Sequence, residues 1–481
     1  MRSLGVFFCF FFWAASANAT DYFWIIGGGP TPNDSQAQIE ANVRWVVTAL
    51  RSHTPGSVLH VFFAGGPNAK DDVLSWIPRK DTPRNLVPLA RVFGQAEANG
   101  YRFRDPDVPY VESSTAAPIL AARLSSEFRA LRPGDHAFIL YEGHGLGVPG
   151  HPSENTLRLW GDTQMSAKTF EQLLNNINPQ VPVQFVFTQC FSGGFERLIH
   201  PQAEKTQQLT TADRCGFMAQ SATEETEGCS ASVNTADYRD YTTYFMAALS
   251  GRTRDGSQLP VSPEVNSSGV VTPYGAHLYA LREANSTDMP RSTSEMYLTR
   301  WQPWYFRWFD TGALPNNVYS RLARDVARRL GLPPDGHELI RKLDARRSQD
   351  VTQIAALRAE RTVLQTQIKS IQNSLRLSIE MRWPRVAQPY TKNFVRFLNH
   401  DLAAAQHFIV SDPLYAKLVE KQDRLDALDI KVLDLRRDRT QMDKIRRLRN
   451  LSRVLAEFQL HASGQARAAY NRLLSCENLP L

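Results

Sequence analysis

Two short apolar runs, each leading into a reactive side chain, constrain this chain more than any other feature. The first, His136–Tyr141, continues into Glu142, Gly143, His144 and Gly145. The second, Val183–Thr188, continues into Gln189, Cys190, Phe191, Ser192, Gly193 and Gly194. Both are rich in β-branched and aromatic residues and are bounded by Pro or Gly, which predicts buried strands. Near-continuous apolar runs mark parallel strands covered on both faces. In open α/β sheets the functional crevice lies beyond the carboxyl ends of the strands. His144 and Cys190 fall there, one past each strand. A thiol and an imidazole so presented are what a thiolate nucleophile and its base require.

A length of 481 residues allows two or more domains. The net charge is +7, but no Lys/Arg run is interleaved with aromatics. The basicity therefore reads first as a solvated helical surface, with acidic partners or a membrane surface as weaker options and no nucleic-acid signature. Arg2, an apolar run from Leu4 to Trp13 and the small-residue pattern Ala17, Asn18, Ala19 predict a signal peptide over residues 1–19. That run is too short for a stable membrane anchor, so an exported protein, periplasmic or secreted, is expected. Cys9 lies within the signal peptide, leaving Cys190, Cys215, Cys229 and Cys476. An oxidising compartment permits disulfides. Cys215 and Cys229 flank a strand and loop of modest length and are expected to pair, with Cys190 free and Cys476 without an assigned partner. Pairing of all four is the alternative. No CxxC metal or redox motif occurs.

Tyr22–Ile26 predicts a first strand, and Gly27–Gly29 a tight turn after it, since G-x-G-x-x-G phosphate spacing is absent. An amphipathic helix is expected over Gln36–Arg51 and a second strand over Val58–Ala64. Residues 68–115, around Asp71, Asp72 and Trp76, read as a long polar loop. Ala116–Leu131 is expected to be helical, Leu157–Trp160 a short hairpin strand, and Ser166–Ile177 a crossover helix. Gly216–Gln220 predicts another strand, Tyr238–Leu249 a helix, and Thr272 with Pro273 a helix start. Strand, helix, strand in sequence argues parallel pairing with right-handed crossovers. Past about residue 330 the pattern changes. Ile354, Leu357, Leu364, Ile368, Ile371 and Leu375 follow steps of three and four, with Arg361 filling one slot. Leu418, Leu425, Leu428, Val432, Leu435 and Met442 follow the same heptad pattern with steps of three, four or a whole seven. Pro384 and Pro389 break the first helix, and Asp412 with Pro413 restarts the second. This predicts an α/β domain over 20–330 and a helical coiled-coil hairpin domain over 331–481, its helices on the order of 60 Å long. The hairpin reads as a spacer or docking arm, with a protein partner or self-association through its seams as the possible contacts.

A thiol of ordinary pKa, about 8.5, is mostly protonated at neutral pH, and an imidazole or a helix N-terminus lowers it. Gly193 and Gly194 would turn the chain from strand straight into helix, with the sulfur at its start. His144 would serve as base and later protonate a leaving amine. The N–H groups of Gly145 and Cys190 are the expected oxyanion hole. Ser192 is a rival nucleophile but lacks the G-x-S-x-G elbow. His60, His151 and His200 are weaker candidates as base.

The segments Phe138–Gly145 and Phe185–Cys190 resemble the paired motifs of the caspase-like cysteine peptidases, closest to the legumain branch. Leu157–Asp162 with the helix after it, Cys190–Gly194, and Ala219–Glu225 are similar to further parts of that branch. The likeness covers residues 20–290. It implies a caspase-like, mostly parallel sheet sandwiched by helices. It implies a cysteine endopeptidase acting on peptide or protein substrates through an acyl-enzyme, with Cys190 and His144 as the dyad and no metal or organic cofactor. Ser221, Glu224 and Glu225 would then line the substrate pocket. Thr188 stands where members preferring Asn or basic residues carry an acid, so side-chain preference is open. A catalytically silent scaffold, or a binding protein acting through the coiled coil, is the alternative.

Overall fold

The computed structural model describes residues 19–77, 87–93, 101–204, 206, 208–307, 313–388 and 391–481. Residues 1–18 of the expected signal peptide, and Pro389, lie outside the described residues. The strands are β1 (Asp21–Gly28), β2 (Val58–Phe63), β3 (Val73–Trp76), β4 (Tyr101–Arg104), β5 (Val111–Ser113), β6 (His136–Leu146), β7 (Thr156–Leu159), β8 (Thr163–Ser166), β9 (Val183–Phe187), β10 (Arg214–Met218) and β11 (Arg291–Ser292). The main sheet runs β11-β10-β9-β6-β1-β2-β5. Its pairs are parallel except β10 with β11. The α-helices are α1 (Ala37–His53), α2 (Val87–Val92), α3 (Ala117–Ala130), α4 (Ala167–Leu174), α5 (Tyr241–Ser250), α6 (Pro273–Glu283), α7 (Thr293–Trp301), α8 (Val318–Arg329), α9 (Gly336–Arg382), α10 (Lys392–Arg396), α11 (Leu402–Ser411), α12 (Pro413–His461) and α13 (Gly464–Glu477).

Successive side chains of a strand point to opposite faces, so an unbroken apolar run must be covered twice. β1 shows the division. Phe23 and Ile25 pack with Val43, Val46 and Val47 of α1 and Phe245 of α5. Trp24 and Ile26 face the other way, with Leu120, Leu124 and Phe128 of α3. All four are shut off from solvent, and each contributes about 1.5–3 kcal/mol of burial. The result is a three-layer α/β/α arrangement, with the expected strands and crossover helices in place.

Residues 68–115, expected to be a loop, carry structure of their own. β3 and β4 pair antiparallel, α2 packs on the helical region, and β5 extends the main sheet beside β2. The pairing of β3 with β4 joins segments far apart in sequence, so no local pattern announces it.

The helical region runs as expected from its caps. Asp412 accepts from Leu414 N–H at the head of α12, and Thr272 caps α6 in the same manner. Helices α9 and α12, of 47 and 49 residues, span roughly 70 Å each. They are antiparallel, because partners climb one helix as they descend the other: Arg346 meets Asp438, Arg361 meets Asp429, and Glu360 meets Arg424. Ile354, Leu357, Leu364, Ile368, Leu375, Leu418, Leu428 and Met442 are buried along the pair.

Residues on both sides of 330 share one core. Met442, Ile445, Leu448, Val454 and Phe458 of α12, and Tyr470 and Leu473 of α13, belong to the same apolar cluster as Phe185 and Phe187 of β9. Gln184 of β9 donates to Cys476 O at 2.7 Å. The boundary expected at residue 330 runs through this shared packing. Among the described residues no helix is long and apolar enough to cross a membrane.

The disulfide corrects the expected pairing of Cys215 with Cys229. Cys215 is joined to Cys476, with Cα atoms 5.9 Å apart, and Cys190 and Cys229 are free. Cys215 is the second residue of β10, at the end remote from the crevice, and α13 brings Cys476 onto that strand. Cys229 lies beyond the opposite end. Short sequence separation favoured the wrong partner. Removing the bond by Cys476→Ser should cost about 2–5 kcal/mol, because it closes a very long loop; denaturant unfolding reads the loss.

Glu477 anchors α13 by accepting from Thr293 Oγ1 at 2.8 Å, Ser294 N–H at 2.7 Å and Ser294 Oγ at 2.6 Å. Burial raises its carboxyl pKa to about 7, outweighing those donors. A folded-state pKa raised above the ordinary 4.5 means the unfolded chain loses this proton first as pH climbs. The resulting stability is present below 4.5 and lost by about 7. Wild type should therefore lose up to about 3 kcal/mol relative to Glu477→Gln across that window, measured as the difference between their unfolding free energies at each pH.

Candidate active site

β6 lies between β1 and β9, so the crevice opens at the centre of the sheet. β6 overshoots its neighbours. Its pairing with β9 ends at Tyr141, and His144, Gly145 and Leu146 then pair antiparallel with β7. His144 is thus held inside the strand's extension rather than just beyond it. The buried Tyr141 hydroxyl lies 2.9 Å from both His144 O and Arg158 O, which pins the backbone of that extension from below.

The imidazole is fixed by a loop the sequence did not single out. His144 Nε2 is 2.8 Å from Asp34 O and 2.9 Å from Gln36 Oε1. Both are acceptors, so Nε2 carries the proton and Nδ1 keeps its lone pair. Burial, the main influence, moves the His144 pKa below its ordinary value, which favours the neutral ring. Asp34 reaches His144 because Gly29 has no side chain. A Cβ there would lie 2.1 Å from Asp34 O. The glycine turn after β1 serves close backbone approach, as expected.

Cys190 stands three residues past β9 and is a partly exposed residue. Its donors come from the loop after β10: Thr226 N–H at 3.3 Å and Thr226 Oγ1 at 3.5 Å. Burial nonetheless raises the thiol pKa, with the negative charges of Glu225 and Asp288 adding to it. The resting sulfur is therefore a thiol, contrary to the expected depressed pKa. The helix that follows is a 3-10 helix, Ser192–Ile199, entered through Phe191 in the left-handed region at φ 59°.

Gly145 packs directly on the turn that carries Cys190, since a Cβ would lie 2.2 Å from Cys190 O. This brings the two expected oxyanion-hole residues into backbone contact. Ser192 is fully buried, accepting from Gln220 N–H at 3.0 Å, and is closed off as a rival nucleophile. His151 is exposed on a neighbouring turn. His200 is buried, with Nδ1 2.8 Å from Gln208 O. His60 lies on β2 beside Glu112 and Glu127. These three offer ligand atoms within 4.8 Å of one another, but Arg123 already meets both carboxylates, at 2.6 and 2.9 Å, and supplies the positive charge there.

Four residues at the site were not anticipated. Cys229, expected in a disulfide, has its sulfur 3.7 Å from His144 Nδ1. Burial, together with Cys190 and nearby carboxylates, pushes its thiol pKa well up. Glu142 is buried and accepts from Thr242 at 2.6 Å, Asn42 at 2.8 Å and Thr188 at 2.9 Å. Desolvation, then Asp240, raises its pKa to about 7. Asn155, 1 % exposed, ties three loops together: it accepts from Val148 N–H at 2.8 Å and donates to Phe191 O and Ala222 O, each at 3.0 Å. Gln36 is the fourth. Gln36 and Cys229 carried a readable signal in their polarity or reactivity alone, without any spacing to link them to His144.

Ser221, Glu224 and Glu225, expected to line a substrate pocket, do line a cavity of about 280 Å³. Its far wall comes from α9 and α12, which the sequence did not connect with it.

No family model matches the chain, and no curated protein does. Among solved structures, the crystal structure of protein GSU0716 from Geobacter sulfurreducens is similar over 57% of this chain and 92% of that one. Its identity is 12% and its TM-score 0.33, which carries no argument about activity.

Gly29→Ala should push the Asp34 carbonyl away from His144. Overpacking of this kind costs about 1–3 kcal/mol, and the expected signature is a shifted His144 imidazole resonance and altered titration by NMR.

Proposed function

We propose that this protein is an exported cysteine endopeptidase with a caspase-like fold. One observation carries the reading: an imidazole whose Nε2 lies 2.8 Å from the Asp34 carbonyl oxygen and whose Nδ1 lies 3.7 Å from the Cys229 sulfur, on a strand that pairs in parallel with the one leading to Cys190. The strand order, with one antiparallel edge beyond β10, supports the fold assignment. The Cys215–Cys476 disulfide supports an oxidising compartment and hence export.

In this mechanism Cys190 sulfur attacks the substrate's carbonyl carbon as its proton passes to His144 Nδ1. The carbonyl π pair moves to oxygen, stabilised by the N–H groups of Gly145 and Cys190. The imidazolium then protonates the departing amine, and a water deprotonated at the same nitrogen cleaves the thioester. Thr226 N–H and Oγ1 stabilise the thiolate when it forms. Thr188 fits this reading as well. Its hydroxyl donates to Glu142, and an acid at 188 would meet that carboxylate instead. The paired α9 and α12 form, in this view, a coiled-coil hairpin that recruits substrate.

A second assignment of the nucleophile is favoured by one observation, the nearness of Cys229 to His144 Nδ1. Cys190 is preferred because Thr226 N–H and Oγ1 reach its sulfur and offset part of the burial that opposes ionisation. At Cys229 burial first, then Cys190 and the carboxylates Glu142, Asp240 and Asp288, all oppose it. Turnover of a peptide library separates the two. Cys190→Ala and His144→Ala should each lower kcat/KM by about 10³–10⁴, and Cys229→Ala by less than tenfold. The reverse order would make Cys229 the nucleophile. Equal turnover by all variants would leave a scaffold.

A further inference from the structure

The cavity beside the nucleophile's loop continues past it. Ser221, Glu224 and Glu225 form one side of the 280 Å³ space, and Arg358, Arg436 and Arg439 stand on the other. A second cavity, of about 450 Å³, runs on along the helices and shares Arg358 and Arg436 with the first. The loop side is anchored at the nucleophile. Phe191 N–H donates to Glu224 O at 2.9 Å, and Glu225 directly precedes Thr226, whose N–H reaches the Cys190 sulfur at 3.3 Å. The trough therefore begins within a residue or two of the candidate reaction centre.

Most arginines around it are matched. Arg346, Arg361, Arg424 and Arg446 bridge one long helix to the other. Arg437 pairs with Glu227 on the loop that reaches the Cys190 sulfur, and Arg439 reaches Asp443 at 3.7 Å. Arg358 and Arg436, on the helix side, have no carboxylate within 4.0 Å among the described residues, and neither does Arg291 on the opposite side. Glu224 and Glu225, facing them, likewise form no ion pair among the described residues. Glu224 and Glu225 thus stay apart from the arginines of α9 and α12, whose side of the cavity also holds Asp443 beside Arg439. Guanidiniums without a counter-charge, lining a trough that ends at a nucleophile, suit a ligand bearing carboxylates, which arginine binds in a planar, two-pronged fashion.

We propose that this trough is a subsite for acidic side chains of the polypeptide being cut. Arg358 and Arg436 hold carboxylates some residues away from the scissile bond, and Glu224 and Glu225 repel acids from the positions next to it. What becomes of the bound chain rests on the peptidase reading, and the subsite makes the long helices part of substrate selection.

The test uses the full chain carrying Cys190→Ala, so that binding is read without cleavage. Fluorescein-labelled dodecapeptides with an acidic, a neutral or a basic end are compared by anisotropy. The acidic-ended peptide should bind at least tenfold tighter than the neutral one and weaken as salt rises. Adding Arg358→Gln and Arg436→Gln together should erase that preference, and Arg358→Glu with Arg436→Glu should turn it toward the basic peptide. Either single Gln variant should give part of the loss, with an unchanged thermal midpoint as the check on folding. Equal binding of acidic and neutral peptides would overturn the proposal. So would a preference that survives the double Gln variant, or binding of a polyphosphate of equal charge where the acidic peptide does not bind. If wild type never cuts a peptide it binds through these arginines, the peptidase reading alone fails and recognition of acidic segments stands. Cleavage without acidic preference overturns the subsite and leaves the peptidase reading in place.

Discussion

The hydrogen bond from His144 Nε2 to the Asp34 carbonyl is the constraint on which the rest of the site depends. It decides the tautomer, and the tautomer decides which nitrogen has a lone pair to offer. Three separate pieces of chain must agree for it to exist. Gly29 lets the loop fold back, Tyr141 clamps the extension of β6, and the pairing with β7 keeps that extension straight. A change at any of the three would be felt at the imidazole. Burial then moves the His144 pKa down and the Cys190 pKa up, both in the direction of the uncharged forms.

The long helices are more than an appendage to this arrangement. Arg437 of α12 pairs with Glu227, between Thr226, which donates to the Cys190 sulfur, and Cys229, which sits at His144. Higher along the same helix, Lys444 is buried and donates to Ala284 O at 2.8 Å, and Arg447 meets the buried Glu295 at 2.6 Å. Burial draws the Lys444 pKa down to about 7, a sign of how completely α12 is embedded. The helix that braces the Thr226 loop at one level is bolted to the sheet's helical layer at the next.

Much of the scaffold was legible because its signals are local. The strands of residues 21–28, 136–146 and 183–187 announced themselves as apolar runs, and Thr272 and Asp412 announced helix starts by cap chemistry. That His144 and Cys190 follow adjacent strands was legible because two consecutive apolar runs in an α/β sequence tend to pair, and β6 and β9 do pair. The sulfur nearest His144 Nδ1 is nonetheless that of Cys229. What escaped was set by distance along the chain. β3 finds β4 across a long insertion, Cys215 finds a partner 261 residues on, and Gln36 meets His144 from another loop. Cys229 was misjudged for the same reason. A thiol close in sequence looked like a better partner for Cys215 than one delivered by a distant helix. The low thiol pKa expected of Cys190 failed on electrostatics, since neither burial nor the neighbouring carboxylates can be read without coordinates.

The docking of α13 on β10 has a bearing on timing. Gln184, in the strand that leads to Cys190, takes its hydrogen-bond partners from Cys476 and Leu479, nearly three hundred residues later. A ribosome delivers those partners long after the sheet's own strands have emerged. Until they arrive, those two hydrogen bonds and the Cys215–Cys476 bond are unmade. Seating of α13 on β10 is thereby coupled to synthesis of residues 464–479, and a product truncated before them lacks that seam.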